Sequence, residues 1–98
     1  MQSIEFKKPK EKWSQSVDDD VKDFMQIAKI LVKSLEWKLT KQVDIDVIIC
    51  FFHKGNTEVF LVYNEMDGIY LRTHDETFDL QMLFDEIDFI LRKKTEKR

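Results

Sequence analysis

Residues 44–64 read Asp44-Ile45-Asp46-Val47-Ile48-Ile49-Cys50-Phe51-Phe52-His53-Lys54-Gly55-Asn56-Thr57-Glu58-Val59-Phe60-Leu61-Val62-Tyr63-Asn64, and residues 65–73 continue Glu65-Met66-Asp67-Gly68-Ile69-Tyr70-Leu71-Arg72-Thr73. β-Branched and aromatic residues dominate three runs, Asp44–His53, Thr57–Asn64 and Ile69–Thr73, and such residues suit a pleated, half-buried surface. Gly55-Asn56 supplies a two-residue hairpin turn and Met66-Asp67-Gly68 a second reversal, so the stretch predicts a three-stranded antiparallel meander. Side chains alternate along a strand, so in the first run Ile45, Val47, Ile49 and Phe51 point one way and Asp44, Asp46, Ile48, Cys50 and Phe52 the other. Both faces of its second half are apolar. That predicts a central strand, or a second face covered by something other than solvent.

Working outward, Ser16-Val17-Asp18-Asp19 fits a capping box, and Val21, Phe24, Met25, Ala28, Leu31, Val32, Leu35 and Leu39 follow at helical spacing. A long helix is expected from there to about Lys41, with Lys38 and Lys41 suiting its negative end. On the other side, Leu80, Leu83, Phe84, Ile87 and Leu91 mark a helix from roughly Glu76 to Lys93, capped from among Thr73, Asp75 and Thr77. The fold class is α+β, with the order α-β-β-β-α: the meander packs against a long N-terminal helix and a C-terminal helix. Residues 1–15 read as a basic, flexible arm broken by Pro9, with a short strand at Ser3–Lys7 as an option. Residues 16–93 form the single domain, and 94–98 a basic tail.

Both helices carry a second apolar stripe. At about 100° per residue, Ile30 and Trp37 lie opposite the first helix's core stripe, and Phe78, Met82 and Phe89 opposite the second's. Either another part of the chain covers these groups or they form an interface, for a homodimer or another protein. Trp37 is then the expected anchor, since Trp is enriched among interface hot spots.

Ninety-eight residues suit one domain, and 43% hydrophobic content with eight Phe and two Trp is enough to build a core. The lone Cys50 excludes an internal disulfide, and its apolar neighbours predict a buried thiol in a reducing, cytoplasmic setting. The longest apolar run, Val47–Phe52, is far short of the ~20 residues of a membrane span.

Catalytic and cofactor patterns are weak. Asp44 with Asp46, and His74-Asp75, are the nearest approach to a metal site, but no His or Cys ligand spacing accompanies them. Cys50 and His53 fall on opposite faces of a strand, which separates thiol from base. The only glycines, Gly55 and Gly68, sit in turns, so no phosphate-cradling loop exists. No enzyme activity and no cofactor are expected.

Charge is the more informative property. The overall balance of −3 conceals a block from Asp44 to Ile90 in which eleven acids face only Lys54 and Arg72, a net charge of −9. Lys7, Lys8, Lys10 and Lys12 near Trp13, and Arg92, Lys93, Lys94, Lys97 and Arg98, make both ends basic. Direct nucleic-acid binding by these ends is disfavoured, because the block repels the same phosphates. Helix starts and turns account for Asp75, Glu76 and Asp67, but not for Asp79, Asp85, Glu86 and Asp88, nor for Asp44, Asp46 and Glu58. Carboxylates in rows on a helix and a strand can stand in for DNA phosphates, spaced at one charge per ~1.7 Å of duplex axis.

An acidic single-domain chain with Phe78, Met82 and Phe89 set among Asp79, Asp85, Glu86 and Asp88 resembles the phage-encoded DNA-mimic inhibitors of host proteins. The resemblance is one of charge and size over residues 44–90, without a motif, and the basic ends depart from it. It implies a non-enzymatic inhibitor acting in a bacterial host's cytoplasm. The implied partner is a basic DNA-binding protein: an HU-type nucleoid protein, a nuclease or RNA polymerase. The expected contacts are Asp79, Asp85, Glu86 and Asp88 with Phe78, Met82 and Phe89, and Asp44, Asp46 and Glu58 as a second row. The alternative is an assembly protein that homodimerises through Ile30, Trp37 and the second helix stripe.

Overall fold

The computed structural model describes residues 1–6, 17–64 and 68–96. In chain order these form β1 (Gln2–Phe6), α1 (Val17–Lys29) continued by a π-helical turn (Ile30–Ser34), β2 (Lys38–Asp44), β3 (Ile48–Lys54), β4 (Thr57–Asn64), β5 (Gly68–Thr73) and α2 (Leu80–Glu96). One antiparallel sheet holds all five strands in the order β1-β5-β4-β3-β2. The Ser16 cap, arm residues 7–15, the reversal at Met66-Asp67 and the end of the basic tail lie outside the described residues.

The expected α-β-β-β-α order is corrected at both of its N-terminal steps. First, the helix does not reach Lys41. The N–H of Leu35 donates to the Ile30 carbonyl at 3.0 Å, a π-type bond. Trp37 N–H donates to the Leu31 carbonyl at 2.8 Å, and Glu36 adopts φ 63, a left-handed turn that ends a helix. Lys38–Asp44 then runs as a strand. Leu39, four residues after Leu35, continues the helical period by coincidence. Its segment is an edge strand, rich in lysine and bulged between Leu39 and Lys41, features that guard an open sheet edge. Second, the short strand offered as an option at Ser3–Lys7 of the arm forms over Gln2–Phe6 and adds an opposite edge to the meander, paired with β5 from Gln2↔Thr73 to Phe6↔Ile69.

The run Asp44–His53 is split as well. Asp44 ends β2, Ile48 opens β3 opposite it, and residues 45–47 form the turn between them. The β3–β4 turn follows expectation, with Gly55 at φ 62 as a two-residue hairpin requires.

Strand register sorts the sheet into two faces. Cys50, Leu61, Leu71 and Ile4 lie in one cross-strand row, and Ile48, Tyr63, Ile69 and Phe6 in another. They pack beneath Phe24, Ile27, Ala28 and Leu31 of the first helical segment and Leu80, Leu83 and Ile87 of α2. Each such side chain stabilises the fold by about 1.5–3 kcal/mol on full burial. α1 is turned from its expected setting: Ile27 and Ile30 point inward, while Met25 and Val32 are exposed. On this face Thr73 is the buried polar group, and its hydroxyl donates to the Glu58 carbonyl at 2.7 Å and accepts from Asp75 N–H at 3.1 Å.

α2 lies over the β1 side of the sheet, with the Phe6 and Phe84 rings 4.7 Å apart. Gln2 Nε2 ties β1 to the segment before it, donating to the carbonyls of Asp75 at 2.9 Å and Phe78 at 2.7 Å. The helix starts later than expected. Asp75 Oδ1 accepts from the Thr77 N–H and hydroxyl and closes a preceding turn. Asp79 is the N-cap, accepting from Met82 N–H at 3.1 Å.

Candidate functional site

The carboxylates singled out in the sequence are distributed over three places. Asp44 and Asp46 sit at the β2–β3 hairpin, beside a largely exposed Ile45. They do not share a strand face as expected, because a turn separates β2 from β3 there. Glu58 lies on the sheet face away from the helices, its Oε2 2.8 Å from Nε2 of His53. Asp85, Glu86 and Asp88 lie on α2. β2 and β1 are opposite edges of a five-stranded sheet, so the hairpin is roughly 19 Å across the sheet from the edge beneath α2, at ~4.8 Å per strand. Two adjacent phosphate-like rows are not formed.

Within α2 the residues differ in their employment. Asp79 is occupied as N-cap, Asp85 accepts from Gln81 Nε2 at 2.9 Å, and Asp88 pairs with Arg92 Nε at 2.8 Å. Met82 and Phe89 are 55% and 60% exposed. Met82, Asp85, Glu86 and Phe89 are spaced i, i+3, i+4 and i+7, which makes them one continuous outer stripe. Lys93 Nζ lies 5.2 Å from the Phe89 ring and brings a positive charge to its end.

The remaining apolar candidates are inside the chain. Ile30 and Trp37 are 1% and 4% exposed, and Phe78 packs edge-on against the Trp37 ring. The homodimer surface expected from Ile30 and Trp37 is therefore core. Cys50 is buried, and burial raises its thiol pKa, with the nearby charge of Asp44 adding to the rise. His53 points to the other face.

That other face is the feature the sequence reading located only on one strand. Ile49 and Phe51 share it with Val43 and Lys41 of β2, Glu58, Phe60 and Val62 of β4, Tyr70 and Arg72 of β5, and Ser3 and Glu5 of β1. No described helix packs on it, and its apolar members lie outside the main core. The rings of Phe51 and Phe60 are 5.5 Å apart, and those of Phe60 and His74 5.3 Å. The Arg72 guanidinium lies 5.3 Å from the Tyr70 ring, and its Nε donates to Ser3 Oγ at 3.1 Å. Phe60 is only 7% exposed among these neighbours.

Among the described residues, no group of three or more His, Cys, Asp or Glu is placed to hold a metal ion, and no helix is long and apolar enough to cross a membrane. No family model, curated protein or solved structure matches the chain.

Proposed function

We propose that this chain is a non-enzymatic binding module that docks a basic protein through the outer stripe of α2, as an acidic decoy for a DNA-binding surface. The observation that carries this reading is the coincidence of exposed Met82 and Phe89 with Asp85 and Glu86 on one stripe. Carboxylates raise the encounter rate with a basic surface, and desolvated apolar anchors then hold the complex. Contacts are confined to α2: Asp44, Asp46 and Glu58 lie too far away or on another face to add a second row.

The test uses the purified chain as bait in bacterial lysate, at low and high salt and with duplex DNA as competitor. A DNA-binding protein is expected at low salt, displaced by DNA, and lost with the double variant Asp85→Lys/Glu86→Lys. Recovery of no DNA-binding protein at low salt ends this reading.

A further inference from the structure

The face of the sheet on which no described helix packs is an apolar surface with a pattern of charge at its rims. Val43, Ile49 and Val62 make an aliphatic row across three strands, and Phe51 and Phe60 an aromatic row beside it. At the β2 edge the face ends in Lys38 and Lys41, and at the β1 edge in Glu5. β4 is the middle strand of the five.

From these features we infer that the helix-free face binds a second copy of this chain, sheet against sheet, about a two-fold axis parallel to the strands. Such an axis lays the β4 strands of the two copies over each other, so Val62 meets its own counterpart beside the largely covered Phe60. It also brings the Glu5 rim of each copy over the Lys38 and Lys41 rim of the other. An axis across the strands would instead set lysines against lysines and Glu5 against Glu5, which costs affinity. Arg72, one strand from the centre on β5, comes over the β3 strand of the other copy, where Phe51 offers a ring face. Glu58 falls near its counterpart, but its carboxylate is already hydrogen-bonded to His53 in its own copy.

The area suffices. Five strands at ~4.8 Å and about six residues at ~3.3 Å give a face of roughly 24 by 20 Å. Two apposed copies then cover on the order of 1,000 Å², the lower bound for a specific interface. The pairing does not depend on the partner of α2, because both α2 stripes remain on the outside of the pair.

Light scattering over a range of protein concentrations reads the assembly state. A dimer is expected, and Val62→Glu should make it a monomer with an unchanged circular dichroism spectrum. Lys41→Glu and Glu5→Lys, at rim positions, should each weaken the dimer about tenfold, and the double reversal should recover most of that loss. A wild-type chain that stays monomeric overturns the inference. So does a dimer indifferent to these variants, or a monomer whose Phe51 and Arg72 retain a single-stranded oligonucleotide, which would assign the face to nucleic acid.

Discussion

Trp37 and Phe78 meet edge to face, with ring centroids 5.9 Å apart and planes at 81°. One residue follows the end of the first helical segment and the other precedes α2, so this contact joins the exit of the one to the approach of the other. Trp37→Ala should destabilise the chain by about 3–5 kcal/mol, and the less buried Phe78 by about 2 kcal/mol. Denaturant midpoints measure both. A Trp37→Ala protein of wild-type stability would contradict its place in the core.

Glu36 holds a left-handed backbone conformation that ordinary side chains adopt at a cost. Glu36→Gly relieves roughly 1–2 kcal/mol of this strain and gives back part of it through a freer unfolded chain, leaving a gain of about 0.5–1 kcal/mol. Thermal melting checks the sign; a clear loss of stability contradicts the left-handed turn.

The acids of α2 should separate by role. Asp79→Ala removes the N-cap and should cost about 1 kcal/mol, whereas Glu86→Ala on the outer stripe should stay within ~0.5 kcal/mol. Paired urea titrations distinguish them. Equal losses would mean that Asp79 does not cap the helix.

Asp75 gives the fold a pH dependence. Hydrogen bonds from the Thr77 hydroxyl and N–H, and from the Phe78 backbone, hold its carboxyl below its ordinary value. The folded chain therefore binds this proton less readily than the unfolded chain. Its contribution is complete above the unfolded value and is lost as pH falls through the lowered one. The stability difference between wild type and Asp75→Ala should be present at neutral pH and shrink in acid. A difference that does not change over this range would contradict the hydrogen-bonded carboxylate.

Cys50 is screened from solvent, and its thiol is harder to ionise than usual. Thiol reagents should label the native chain far more slowly than the chain in concentrated guanidinium. Fast native labelling would place Cys50 at the surface.

The amino-acid sequence by itself determined the local features: the Gly55-Asn56 hairpin, the strand character of β3, β4 and β5, the buried stripe Leu80, Leu83 and Ile87 of α2, and the buried thiol. Each follows from nearest-neighbour chemistry, because alternation, helical spacing and turn residues act over a few positions. It also showed that β3 is apolar on both faces, a trace of the helix-free surface. Only the tertiary structure decided the rest. Lys38–Asp44 becomes a strand by pairing with β3, because this lysine-rich edge carries little hydrophobic period of its own, and Gln2–Phe6, whose Ile4 and Phe6 alternate as a strand requires, is fixed as the opposite edge by pairing with β5. The burial of Ile30 and Trp37 depended on where the π turn and Glu36 steer the chain. The eleven acids could be counted along the chain. The division of Asp44, Asp46, Glu58, Asp79, Asp85, Glu86 and Asp88 among a hairpin, a helix and the far face of the sheet is a matter of folding, because separation in space is set by strand order and not by separation in sequence.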